Sequence, residues 1–385
     1  MKKLTYFFTL VIFAGLSSCG SGERAGGAIT MDVGKSYPQI TIDINDIADV
    51  EYLPLGVSND FLLSEGNVSY FDDDIIVFAQ RTGDIMFFDY RTGKAVKSFN
   101  RLGKGNEEYP ALAFNSIAVD RDKNEVYVNN PQGNCILVYD TDGRFKRRLE
   151  CHDKRYNAIY NFDPDNLLVH DNVMENSLPF LLISKLDGMV VEELTPPVAE
   201  RLPTTYMIRV DQGVLPMLIS YGPILKTKEG FLMADISYDT IYRLTGSGGV
   251  PEPVIARTPS ARGTDAPVFI FPALETRRYL MMSCIGKNPS ASDPMKMFYA
   301  KTFAYDREDG SFYEPTVISG DYDNWRLPVN SGAIGHNTVN AISVNLSAVS
   351  LVIALEEGKL HGKLREVAST LKEDDNPVIM IVRFK

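Results

Sequence analysis

Four histidines, His152, His170, His336 and His361, are the side chains best suited to move protons or hold a metal near neutral pH, yet they are scattered along the chain with no cysteine or second histidine at ligand spacing. The run Asp120-Arg121-Asp122-Lys123-Asn124 sets oxygen-bearing side chains at alternate positions, as the opening of a calcium loop does. Glu125 stands where that loop turns on glycine, and Pro131 where its bidentate glutamate belongs, so a hairpin turn is expected instead. Gly103-Lys104-Gly105 begins like a phosphate-cradling loop, but Glu108 takes the place of the third glycine. A nucleophile elbow, an H-E-x-x-H pair and a P-loop are all missing from the sequence. No catalytic residue, metal site or cofactor is assigned on these grounds.

What remains is the chemistry of recognition. The stretch from Arg101 to Tyr109 mixes cations, carboxylates and glycines with a terminal aromatic, and Arg101, Lys104, Glu108 and Tyr109 are its candidate ligand contacts. His152-Asp153-Lys154-Arg155-Tyr156-Asn157 repeats that content, adding His152, Arg155 and Tyr156. Trp325, the only tryptophan, closes the irregular run Asp321-Tyr322-Asp323-Asn324-Trp325 and completes the set. The competing expectation is that Tyr109 and Tyr156 pack between structural units while the charges face water.

The elements that position these residues begin with an address. Lys2 and Lys3 precede an apolar run from Leu4 to Leu16, long enough for a signal peptide and too short for a membrane span of about 20 residues. Leu16-Ser17-Ser18-Cys19 resembles the lipobox of bacterial lipoproteins, which implies removal of residues 1–18 and a diacylglycerol on Cys19. Residues 19–35, rich in Gly, Ser and Ala, are expected to form a flexible tether, with the folded body at 36–385. The net charge of −11 makes nucleic acid and anionic head groups poor partners. Cys135, Cys151 and Cys284 show no framework spacing; free buried thiols are expected, with a Cys135–Cys151 bridge as the alternative.

Internal repetition sets the architecture. Ile85 to Phe99 recurs as Ile136 to Leu149, each an apolar run, an aspartate, a polar turn with glycine and a second alternating run. Weaker copies carry Gly188, Gly246 and Gly310. Each copy reads as a β-hairpin preceded by another strand pair, so five units and a C-terminal remainder predict an all-β, six-bladed propeller with four-stranded blades. The remainder holds one short amphipathic helix, Lys363 to Leu371, and a final strand from Val378. Ring closure is assigned to an N-terminal strand near residues 50–55.

Phe88-Asp89, Gly93-Lys94 and the loop Arg101 to Tyr109 resemble the first blade of the six-bladed, NHL-like propeller lipoproteins of Bacteroidota, although Asn106 and Glu107 replace the Pro and Gly of that family's linker. The resemblance implies the fold and a lipid anchor in the cell envelope, on the outer membrane, and implies no activity. The expected function is non-catalytic binding of a polysaccharide-derived, peptide or protein ligand. The alternatives are a propeller enzyme of lyase or calcium-dependent lactonase type, and a structural partner of an outer-membrane transport complex. Loops 101–109 and 152–157 are expected at the same end of the ring.

Overall fold

A computed structural model describes residues 24–25, 27–57, 61–112, 116–194, 196–210, 213–288, 296–329 and 339–385. Period-two runs broken by turn residues fold into antiparallel meanders. The first blade is β5 Gly66–Phe71, β6 Ile75–Gln80, β7 Asp84–Asp89 and β8 Ala95–Asn100. The second is β9 Ile117–Asp120, β10 Glu125–Asn130, β11 Cys135–Tyr139 and β12 Phe145–Glu150; the third is β13 Tyr156–Asn161, β14 Asn166–Asp171, β15 Phe180–Ser184 and β16 Val190–Leu194. The fourth is β19 Ile224–Thr227, β20 Gly230–Met233, β21 Thr240–Leu244 and β22 Glu252–Thr258; the fifth is β23 Val268–Glu275, β24 Tyr279–Lys287, β25 Phe298–Asp306 and β26 Phe312–Ile318. The sixth sheet has three described strands, β27 Ala341–Leu346, β28 Val378–Phe384 and β4 Ala48–Pro54. A separate hairpin, β17 Thr205–Val210 with β18 Gly213–Leu218, leaves the connection between blades three and four.

The molecule is a six-bladed β-propeller. First strands of neighbouring blades touch one another, β5 with β9, β9 with β13 and β19 with β23, so they surround the axis. The fourth strands β8, β12 and β16 lie outermost and alternate exposed with covered residues. The apolar core fills the gaps between blades: Phe87 and Leu137 meet between blades one and two, and Ile136 and Leu181 between two and three. The repeat glycines sit in the turns between third and fourth strands, where Gly93 and Gly143 adopt φ of +67° and +76° that a Cβ would disfavour. In the fourth blade the left-handed residue is Gly248, not Gly246, because the turn there is longer.

The expected closure is present. β4 pairs antiparallel with β28, from Ala48 opposite Phe384 to Pro54 opposite Val378. The N-terminal segment does more than close the ring. β2 Ala28–Asp32 adds in parallel to the outer edge of β22, and β3 Gln39–Asp43 adds in parallel to β26. A strap of three strands therefore covers the outer edges of blades four, five and six in succession. Ordered structure begins ahead of the expected start at residue 36, since Met31 is fully buried and β1 Arg24–Ala25 folds back on β2.

Among the described residues three helices are present where one was expected. α1 Ile44–Ile47 turns the strap between β3 and β4, capped by the Asp43 carboxylate accepting from the Asn45 amide. α2 Ala348–Glu356 buries Ala348, Leu351 and Ala354 while leaving Val349 and Ile353 exposed, so its apolar residues surround it and hide the helical period. α3 Gly362–Ala368 matches the expected helix with an earlier end.

Candidate functional site

Four antiparallel strands return the chain to the end at which it entered, so the loops that join complete blades share one end of the ring and the turns after first strands share the other. Loops 101–109 and 152–157 both join blades and belong to the first end. Arg101, Lys104 and Glu108 are exposed there; Arg101 Nε donates to the Gly143 carbonyl at 2.8 Å, and Glu108 Oε2 accepts from the Gly105 amide. Tyr109 is fully buried, its hydroxyl donating to the Gly83 carbonyl at 2.7 Å and its ring edge-on to Tyr139. Tyr156 is likewise buried between blades two and three. Both tyrosines support their loops from beneath, and neither offers a surface to a ligand. His152 is exposed at φ +52°, its carbonyl accepting from the Asn134 amide group, and Arg155 is exposed beside it. Trp325 is placed elsewhere: half-buried, it packs against the large core cluster, as does Tyr322, whose backbone bridges Leu360 just before α3.

Sequence reasoning missed a buried polar junction at the same end, between blades three and four. β14 runs apolar through Leu167-Leu168-Val169 and then delivers His170, with no exposed surface, to Asp235 just after β20. His170 Nε2 lies 2.7 Å from Asp235 Oδ2 and Nδ1 lies 2.5 Å from Asn157 Oδ1. Arg201 Nη2 donates to the same Asp235 oxygen at 3.0 Å and to the Asp171 carbonyl at 3.1 Å. Burial pushes the Asp235 carboxyl up, but the His170 hydrogen bond and the charges of His170 and Arg201 outweigh it and hold the group at about 2. The junction clamps two blades and a joining loop and is closed to solvent. A histidine and an aspartate ending two apolar strands were its only sequence signal.

The opposite end carries a comparable pin and, beside it, an open cavity. Lys185 is buried and donates from Nζ to Asp120 Oδ2 at 2.6 Å, Asn161 Oδ1 at 2.7 Å and the Asp163 carbonyl at 2.5 Å, tying blade three to blade two. The run Asp120 to Asn124 is thus a hairpin turn between β9 and β10, with Asp120 spent on Lys185. Next to it, a cavity of about 400 Å³ draws its lining from five blades, with Tyr70, Asp72, Asp120, Asn161, Lys226 and Arg383 among them. Its position at the ends of first strands makes it the mouth of the axial channel. A cavity of about 460 Å³ between the strap and blade five is larger; of its charged lining, Arg278, Arg307, Glu308 and Lys385 are paired with one another or with Glu275, Asp306 and Asp49, while Arg277 and Asp46 also border it.

Within the channel mouth most charges are matched: Arg121 with Asp72 at 3.6 Å, and Arg383 with Asp73 at 3.0 Å while stacked on Phe71 and Tyr90. Lys226 differs. It rises from the inner strand β19, its Nζ lies 5.7 Å from the Phe231 ring centre, and among the described residues its ammonium makes no hydrogen bond or ion pair. Burial, and secondarily the charge of Lys185, lowers its pKa. A lysine inside Ile224-Leu225-Lys226-Thr227 was the available sequence signal, and nothing in that pattern said that the lysine lacks a partner.

Among the described residues, no group of three or more His, Cys, Asp or Glu is placed to hold a metal, and His336 lies outside them. Cys135, Cys151 and Cys284 are free and buried, and burial pushes the Cys151 thiol up to about 12.

The fold and its channel mouth define a six-bladed propeller whose axis opens onto a polar cavity. The chain belongs to the family described as a domain of unknown function, DUF4934, which matches residues 28–383. No curated protein matches the sequence. Among solved structures, a protein of Bacteroides fragilis NCTC 9343 described as exported is similar over 90% of this chain and 99% of its own, with 15% identity and a TM-score of 0.59. A member of the duf4221 family from Bacteroides vulgatus covers 88% of this chain and 99% of its own, with 10% identity and a TM-score of 0.43.

Proposed function

We propose that the protein is an exported, lipid-anchored binding protein of the cell envelope that takes a small carboxylated ligand, of the kind released from acidic polysaccharides, in the channel mouth. The observation that carries this reading is Lys226, an unpaired ammonium at the head of a polar cavity whose other cations are already neutralised. A desolvated ammonium without a partner costs stability, and a ligand carboxylate supplies the missing partner. The cavity's roughly 400 Å³ suits a monosaccharide. Asp72 and Asp73, though paired with Arg121 and Arg383, keep acceptor lone pairs for sugar hydroxyls, and Asp122 adds a further carboxylate at the rim. The anchor rests on the lipobox-like Leu16 to Cys19. Among the described residues no helix is long and apolar enough to cross a membrane.

Thermal melting with galacturonic acid against galactose tests the ligand. The acid is expected to raise Tm, with stabilisation of about 2.7 kcal/mol at a hundredfold excess over Kd, while galactose does not. Lys226→Met removes the response and keeps the unliganded Tm. A response that survives in Lys226→Met but disappears in Lys104→Ala or Arg155→Ala moves the site to the joining loops. Calcium addresses the lactonase alternative: a sharp metal-dependent rise in Tm supports it, and a flat profile removes it.

A further inference from the structure

The β17–β18 hairpin stands apart from every blade, paired only with itself. Two-stranded hairpins are marginal in water without a covered face. One face is covered at the base of the hairpin, where Tyr206 packs on Phe298 with ring centres 5.2 Å apart, under Lys287, and Met217, its cross-strand partner, is half-buried, while Leu215 further along that face is exposed. The other face carries Met207, Val214, Pro216 and Leu218, all exposed, with Met207 and Leu218 near two-thirds exposure. By register Thr205 and Arg209 share this face with the apolar residues, and an exposed apolar patch on a hairpin separate from the blades marks a contact surface.

The place where the chain leaves the described structure says what covers it. β1 folds back on β2 along the outer edge of blade four, with Arg24 opposite Ile29. Four residues lie between Cys19 and Arg24, so the two are at most about 17 Å apart. The end of β22 continues into a loop whose Arg262 Nη2 donates to the Ser237 and Glu200 carbonyls, and Ser237 Oγ in turn accepts from the Leu202 amide at the base of the hairpin. Anchor and hairpin thus spring from the same sector of the ring.

We propose that the apolar face of the hairpin seats in the lipid interface beside the Cys19 anchor, so that the joining-loop end faces the bilayer and the channel mouth faces away from it. The inference rests on the lipid-anchor reading. A short tether holds blade four at the membrane, and interfacial burial of Met207, Val214 and Leu218 adds apolar contact to the acyl chains.

The test uses the full lipidated protein in vesicles of phosphatidylethanolamine with a minor share of phosphatidylglycerol, carrying an environment-sensitive dye at Met207→Cys. The dye at 207 is expected to shift to the blue and to be quenched by spin-labelled acyl chains, whereas a dye at Leu186→Cys, on the exposed edge of blade three, reports water. In parallel, the soluble Cys19→Ala protein is expected to float weakly with the same vesicles, and Met207→Ser with Leu218→Ser to lower that partition roughly tenfold. A water-exposed dye at 207 in the anchored protein overturns the proposal. So does a vesicle-independent dimer that the double substitution dissolves, which assigns the face to a second copy. If mass spectrometry finds no lipid on Cys19, the anchor reading has failed, and flotation of the Cys19→Ala protein then judges the hairpin alone.

Discussion

The two ends of the ring each hold a buried charged pin, and the turn end also holds a cation without one. At the joining-loop end, His170, Asp235 and Arg201 pair with one another across a junction between blades, although the buried Arg201 Nε is left without a partner. At the turn end, Lys185 does the same for blades two and three, yet Lys226, near enough to be affected by its charge, is left with an aromatic neighbour and an open cavity. Burial of a titratable group is therefore no guide to function by itself in this propeller. A partner supplied by the neighbouring blade marks a structural pin, and under the proposed function a missing partner beside a cavity is where a ligand would sit.

The comparison predicts a graded series of effects. The largest concerns the ring that carries both ends: a chain beginning at Leu62 lacks β1 to β4, exposes the edges of β22, β26 and β28, and is expected to be insoluble or unfolded by circular dichroism. An equally stable truncated protein shows that closure comes from elsewhere. Next are the pins. Asp235→Ala and Lys185→Met each strand a buried charge and are expected to cost about 3–5 kcal/mol in denaturant unfolding; a loss below about 1 kcal/mol removes the distinction between paired and unpaired ends.

Acid unfolding follows from the same pins. Asp235 is held at about 2, as is Glu125, where burial alone acts upward and hydrogen bonds from Arg147 and Lys146 prevail. Both folded values lie below the unfolded ones near 4, so the stability they confer is complete above about pH 4 and is lost as pH falls toward 2. Asp235→Asn is expected to flatten that slope in unfolding measured from pH 5 to about 2; an unchanged slope separates the junction from acid stability. The smallest effect belongs to Lys226→Met, which removes an unpaired desolvated charge and is expected to leave unliganded stability unchanged or raised, whereas a loss comparable to that of Lys185→Met makes it a pin as well.

Blade architecture was legible in the sequence because it is written in local chemistry: Asp89 and Gly93, then Asp140 and Gly143, recur with alternating apolar runs on either side. Closure by residues 50–55 followed from the need to leave no open edge. The strap was not legible, since Ala28–Asp32 and Gln39–Asp43 are short strands whose partners lie more than two hundred residues away, beyond any local period. α2 was hidden by apolar residues on every side. The joining loops were found by composition, but composition could not tell that Tyr109 and Tyr156 point into the core, nor that an ordinary lysine at 226 is the cation without a partner.

The most direct test of the channel-mouth site is a crystal structure of the protein soaked with galacturonic acid. The expected density places the carboxylate within about 2.7–2.9 Å of Lys226 Nζ, with sugar hydroxyls turned to the rim aspartates Asp72, Asp73 and Asp122. Ligand density confined to loops 101–109 and 152–157, with Lys226 still unpaired, contradicts the assignment of function to the turn end.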